Sequence, residues 1–322
     1  MDAVVLAEVV RSGFVESRHL GAAVVAGPDG EVVRALGDPG LVVYPRSSVK
    51  PLQAAATAGA GAGAGFDATA RAVALASASG SHAGEPVHVQ AVRATLAAAG
   101  LDEGALRCPP ALPRATTGAL EAAPVYHNCS GKHAWFLAAQ AGAFPLEPRA
   151  GYLDPDAPLQ RAVMASVAKW SGAGGGHVGV DGCGAPTVTM PLVALATAFA
   201  RLAAGAVPSG DEVVAAVRAH PVLLGGSRAL DTAIVEATGG RVLAKVGAEA
   251  VYAAADLSSG RGLALKVLDG SPRAAGPALL AMLRALGWLG AAELARLEPL
   301  AVTAVQGGGR PVGAVRPALF AV

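Results

Sequence analysis

Ser47 and Lys50 stand three residues apart in the stretch Tyr44-Pro45-Arg46-Ser47-Ser48-Val49-Lys50-Pro51-Leu52-Gln53. On one helical turn, residues i and i+3 face the same way, with Cβ atoms about 5–6 Å apart. A serine hydroxyl is a poor nucleophile at neutral pH until a base takes its proton. A buried lysine can be that base, because desolvation disfavours its charged form. A solvated helix start with a capping serine has the same spacing, so the pair needs support from elsewhere in the chain. Pro51 suits a first helical turn but disfavours the α conformation at Lys50.

Three further stretches concentrate reactive side chains. Ala78-Ser79-Gly80-Ser81-His82-Ala83-Gly84-Glu85-Pro86 is rich in small residues, which either let a backbone approach a ligand or form a polar turn between helices. His127-Asn128-Cys129-Ser130-Gly131-Lys132-His133 again carries an i, i+3 pair, Cys129 with Lys132. Gly179-Val180-Asp181-Gly182-Cys183-Gly184-Ala185-Pro186 bends tightly around one thiol and one carboxylate. Two cysteines in separate glycine-bearing loops suit either a metal such as zinc or two buried structural thiols. Lys245-Val246-Gly247 lies in a strand-like run and resembles the K-T-G element of serine β-lactamases and penicillin-binding proteins, which also use S-x-x-K. A second lysine facing the serine would add positive charge where an oxyanion develops. Lys266, in the next run, competes for that role.

The elements that must position these residues follow from the hydrophobic pattern. Val-rich runs at 3–12, 20–27 and 31–36, with Gly27-Pro28-Asp29-Gly30 between the last two, predict an antiparallel meander. A second strand cluster is expected at 241–247, 250–256 and 262–268. Helices are expected at 51–63, 67–77, 86–99, 131–142, 157–170, 190–204, 211–219, 227–238 and 274–288. Strands, then helices, then strands and a helix make an α+β order, with the two strand clusters joined in one sheet. The reading is a single catalytic domain over 1–322: an α/β part of roughly 1–50 and 240–322 and a mainly helical part over 51–239.

Composition narrows the partners. The 322 residues are 53% hydrophobic but only 4% aromatic, so the core must pack small side chains closely. A net charge of +1 gives no electrostatic reason to expect nucleic acid. No stretch has the length and apolarity of a membrane helix. Met1-Asp2-Ala3-Val4 lacks a basic n-region, so a cytoplasmic protein with its three cysteines, Cys108, Cys129 and Cys183, reduced is expected.

Taken in order, these segments resemble the Rhizobium etli type (class 3) L-asparaginases. The matching pieces are Glu8 to His19, Tyr44 to Gln53, Ser81 to Val89, His127 to His133, Gly151-Tyr152-Leu153-Asp154-Pro155, Val180 to Pro186, Lys245 to Glu249 and Gly262 to Lys266. The resemblance implies a fold similar to serine β-lactamases and glutaminases, and hydrolysis of L-asparagine to L-aspartate and ammonia. It implies two Ser-Lys tandems: Ser47 with Lys50, and a second serine with Lys245. The family's A-S-H element reads Ser79-Gly80-Ser81-His82 here, so the second serine is Ser79 or Ser81, with Ser81 preferred for its adjacency to His82. It implies one zinc per chain held by Cys129, Lys132 and Cys183, with water completing a tetrahedron, and a homodimer. Arg46, His82 and Asp181 are the candidate substrate-binding residues. Trp135 falls where the family often has glycine, and either narrows the pocket or fills the core. The rival readings are a glutaminase or a β-lactam or peptide hydrolase on the same scaffold, a non-catalytic amino-acid-binding protein, and a structural zinc protein.

Overall fold

The computed structural model describes residues 2–114, 120–142, 144 and 149–318. Its first elements are β1 (Val4–Arg11), β2 (Phe14–Ala26), β3 (Val32–Leu36), β4 (Val42–Val43), α1 (Lys50–Gly59), α2 (Ala68–Ala78), α3 (Pro86–Ala98), α4 (Ser130–Gly142) and α5 (Pro158–Ser171). Then follow β5 (Val178–Val180), β6 (Pro186–Val188), β7 (Met190–Pro191), α6 (Leu192–Ala203), α7 (Gly210–Ala219), α8 (Val222–Gly225) and α9 (Leu230–Ala237). The chain closes with β8 (Val242–Gly247), β9 (Val251–Asp256), β10 (Arg261–Val267), α10 (Pro272–Ala285), α11 (Ala291–Ala301), β11 (Ala304–Gly307) and β12 (Arg310–Pro317). The class is α+β, as the order of strands and helices predicts. Among the described residues, no helix is long and apolar enough to cross a membrane.

The chain forms two compact units. The first comprises Met1–Ser48, Met190–Ala203 and Arg228–Val322; the second comprises Val49–Thr189 and Ala204–Ser227. Residues 190–203 and 228–239, expected in the helical part, therefore pack with the sheet.

In the first unit the sheet runs β11-β12-β1-β2-β10-β9-β8, with β3 also paired to β2. The two strand clusters join where β2 meets β10 antiparallel, Val25 opposite Leu263 and Ala23 opposite Leu265. Ser12 and Gly13 both take positive φ, 47° and 86°, in the two-residue turn from β1 to β2. The outer half of β2 is largely exposed, but Ala22 to Ala26 are fully buried, as are nearly all of β8, β9 and β10. A strand covered on both faces loses the simple apolar–polar alternation. Here α6 covers one face and α10 the other, with β8–β10 contributing Leu263, Leu265 and Tyr252 to the α10 side. The small residues make the first contact possible: a Cβ on Gly262 would sit 2.0 Å from the Ala196 carbonyl oxygen of α6.

The second unit is built on α1, whose residues Lys50 to Ala58 are all buried. Pro51 lies in its first turn, where a missing N–H breaks no helical bond. The helix expected over 51–63 stops at Gly59, because Gly61 and Gly63 adopt positive φ of 99° and 66°. Trp135 of α4 is fully buried, donates Nε1 to the Ala54 carbonyl at 3.1 Å and meets Phe66 edge-on, so it fills the core. Asp67 caps α2 by accepting from the Ala70 N–H at 2.8 Å.

Candidate active site

Lys50 begins α1 directly after a 3-10 turn over Arg46–Val49. Its side chain is fully buried, and Nζ donates to the Gly80 carbonyl at 2.5 Å, to Ser81 Oγ at 3.1 Å and to the Asn128 carbonyl at 3.2 Å. Burial is the main force on its pKa and pulls it below the ordinary lysine value. The nearby thiols Cys129 and Cys183 oppose that pull, and the Lys132 charge reinforces it.

The loop before α3 brings Ser81 to Lys50 through backbone packing. Ser81 N–H donates to the Leu224 carbonyl at 2.7 Å, and Gly80 lies so close to α8 that a Cβ would stand 2.3 Å from the Leu223 oxygen. Ser79 is placed differently: it is fully buried at the end of α2, and its Oγ donates to the Leu75 carbonyl at 2.8 Å. His82 is 1% exposed and both ring nitrogens are used. Its Nδ1 accepts from the Gly84 N–H at 3.1 Å, which leaves the proton on Nε2 to donate to Ser130 Oγ at 2.8 Å. Ser130 in turn donates to the Val125 carbonyl. The His82 ring stacks on that of His88, and burial holds both imidazoles below their usual pKa.

Beside Lys50 lie Cys129, Lys132 and Cys183, all buried and none in a disulfide. Cys183 donates to Cys129, which is held well below the usual thiol range, with burial opposing and Lys50 assisting. Cys183 is pushed up by the same hydrogen bond and by burial. Lys132 Nζ lies 3.4 Å from Cys183 Sγ, and burial lowers its pKa less than the two thiols and Asp181 raise it. Among the described residues, no group of three or more His, Cys, Asp or Glu side chains could hold a metal. The present set is two thiols and an amine, a donor combination suited to zinc once the amine is neutral. Asp181 is half-buried in the loop that carries Cys183, with Oδ1 accepting from the Gly182 N–H at 2.7 Å.

In the first unit, Ser47 and Ser48 differ in kind. Ser48 is fully buried and its Oγ donates to the Pro45 carbonyl at 2.6 Å, whereas Ser47 is partly accessible. Arg46, immediately before Ser47, takes φ 52°, a left-handed conformation uncommon outside glycine. The end of β8 packs on this loop: a Cβ on Gly247 would lie 2.6 Å from the Pro45 oxygen and 3.2 Å from the Ser48 nitrogen. Two residues back, Lys245 is fully buried and paired with Asp231 at 3.2 Å. Lys266 instead donates to the Glu249 carbonyl and is partly exposed.

The model of the L-asparaginase II family matches residues 7–317, nearly the whole chain. The chain belongs to the L-asparaginase II family. Family membership makes it an amidohydrolase with a small-molecule substrate. Among solved structures, this L-asparaginase II family member is similar to a β-lactamase from Mycobacterium bovis, at 17% identity and a TM-score of 0.42, over 87% of this chain and 92% of the other. No curated protein is a significant match.

The sequence motifs contain most residues of these two clusters, but sequence reasoning gave no role to Asn128, Ser130, Asp231 or Tyr252. Asn128 acts through its carbonyl, which no side-chain pattern reveals. Asp231 reads as an ordinary acidic residue in the first turn of a helix, since its partner Lys245 is 14 positions away on a strand.

Proposed function

We propose that this L-asparaginase II family member hydrolyses the side-chain amide of L-asparagine, with Ser47 as nucleophile and Lys50 as its base. The observation that carries this reading is a fully buried lysine, its pKa lowered by burial, one helical turn beyond a serine that stays accessible. Neutral Lys50 takes the Ser47 proton as Oγ attacks the amide carbon. The oxyanion is met by backbone N–H groups, that of Ser47 among them. Lys50 returns the proton to the amide nitrogen, the C–N bond breaks, and ammonia leaves a β-aspartyl ester on Ser47. Water attacks the ester, its proton passes to Lys50 and on to the departing Ser47 oxygen, and aspartate is released.

Ser81, 3.1 Å from Lys50 Nζ, fits the proton path better than Ser79, whose hydroxyl is committed to the Leu75 carbonyl. His82 fits a positioning role, since its ring nitrogens already serve Ser130 and Gly84. Arg46 and Asp181 are assigned to the α-carboxylate and α-ammonium ends of the substrate. Cys129, Lys132 and Cys183 would hold one zinc per chain, which when bound supplies fixed positive charge and Lewis acidity. The family resemblance adds a cytoplasmic homodimer, for which sedimentation is the test.

Ammonia release by purified protein decides the function. L-asparagine should be the best substrate over L-glutamine and a chromogenic β-lactam, and Ser47→Ala should abolish turnover. Turnover of glutamine or the lactam in preference, or none with any substrate, would reject the reading.

A further inference from the structure

Asp231, on the first turn of α9, is 2% exposed, and its carboxylate meets an ammonium, a backbone N–H and a phenol. Oδ2 accepts from Lys245 Nζ at 3.2 Å and from the Val246 N–H at 3.0 Å. Oδ1 accepts from Tyr252 Oη at 2.6 Å. The carboxylate thus ties three points of the β8–β9 ladder together, since Val246 pairs with Tyr252 across it. Lys245 Nζ also donates to the Val246 carbonyl at 2.9 Å. Both partners of the ion pair are essentially removed from water. An unpaired charge there would be far more costly than a paired one, so the carboxylate and the ammonium require each other.

The pair is not placed at random. Gly247, two residues beyond Lys245, is the residue on which the Pro45–Ser48 backbone rests, and any side chain there would push that backbone away. Lys245 and Gly247 lie on the same face of β8, because side chains alternate along a strand. Lys266 shares that face two strands further in, on β10, by the register Lys245–Ala253 and Ala253–Ala264. Asp231 from α9 faces Lys245 directly, and Tyr252 from β9 reaches it through Asp231. Arg46 from the Ser47 loop is close enough to oppose the charge of Lys266.

We propose that Asp231 is a positioning residue for the amidohydrolase reaction: its carboxylate, steadied by Tyr252, fixes Lys245 as a permanent ammonium at the strand end that supports the Ser47 loop. Lys245 is then a fixed positive charge and not a second proton acceptor. This rests on the Ser47–Lys50 reading above, and deepens it by separating the roles of the two lysines.

A double-mutant cycle on the full chain tests the coupling. Steady-state kinetics with L-asparagine are measured for Asp231→Asn, Lys245→Met and the double variant, with Lys245→Arg as the conservative control. If Asp231 acts through Lys245, Asp231→Asn should lower kcat about 10–100-fold with KM held within about threefold. It should add less than about twofold to the loss already caused by Lys245→Met. Lys245→Arg should keep more activity than Lys245→Met. An Asp231→Asn protein with parental kcat, or losses that multiply fully in the double variant, would overturn the proposal.

A second measurement needs no folded variant of Asp231. The chain has five lysines, so selective 13Cε labelling gives five resolvable signals, assigned by single lysine-to-arginine changes. In the parent protein the Lys245 signal should stay at its ammonium position up to about pH 9. A Lys245 signal that moves together with the kinetic pH profile would make it a base and overturn the proposal. The arms are separable from the function itself. Absence of ammonia release rejects the Ser47–Lys50 reading, while the Lys245 signal still reports whether Asp231 holds it charged.

Discussion

Two serines side by side, Ser47 and Ser48, have opposite surroundings. Ser48 spends its hydroxyl on the Pro45 carbonyl, while Ser47 stays partly accessible. Ser47→Ala should therefore lose at least about a thousandfold in kcat with an unchanged melting temperature. Ser48→Ala should keep most activity and lose about 1 kcal/mol of stability. The base makes a pH prediction with a definite sign. A lysine accepts a proton only when neutral, and burial lowers the pKa of Lys50, so kcat/KM should rise with pH and level off below about 10.4. Lys50→Arg cannot deprotonate and should be inactive across the range. A pH–rate profile with an acid optimum, or an active arginine variant, would remove Lys50 from the role. The thiols allow a test that needs no turnover. Metal analysis should find zinc in the parent and in Cys108→Ser, and a several-fold loss in Cys129→Ser and Cys183→Ser. Cys108, with its thiol pushed up to about 12 chiefly by burial, serves as the buried control.

At the scale of elements, the stacked pair His82 and His88 ties α3 to α4 and α8. Folding depresses both imidazole pKa values, chiefly by burial. The unfolded chain, with histidines near 6.5, then binds more protons than the folded one in the window below about pH 6.5. Stability should be level above that pH and fall as pH drops, by up to about 1.4 kcal/mol per pH unit for each histidine. Urea midpoints between pH 5 and 8 measure this, and a flat profile would show that the rings are not neutral in the folded state. The contact between β8 and the Ser47 loop depends on a missing side chain. Gly247→Ala places a Cβ 2.6 Å from the Pro45 oxygen, backbone that cannot yield without moving the loop. It should cost about 1–3 kcal/mol and lower kcat, whereas a parental Tm and kcat would show that this packing does not matter.

Across the whole molecule, the two ends of the chain meet in one sheet. β12 lies between β11 and β1, with Val315 opposite Val9 and both buried. A chain ending after Val302 should lose this pairing and expose the apolar side of β1, giving a large fall in Tm. A melting temperature equal to the parent's would show that the terminal hairpin is dispensable.

The sequence alone carried the class, most of the helices and six of the principal strands, because apolar periodicity and turn residues act locally. It also marked Ser47, Lys50, Cys129, Lys132 and Cys183 as candidates, since each lies in a short motif whose residue types are chemically unusual together. It did not disclose α11, β11 or β12. Pro299, Pro311 and Pro317 obscure those elements locally, and pairing with β1, some 300 positions away, forms the strand. Nor did it place α6 and α9 with the sheet, because a helix that is apolar on most sides does not state what covers it. Only the tertiary structure gave the two candidate serines different partners, the Leu75 carbonyl for Ser79 and Lys50 Nζ for Ser81. It alone joined Asp231 to Lys245. Hydrogen bonds and ion pairs between distant segments depend on where the backbone brings them, and no spacing along the chain records that.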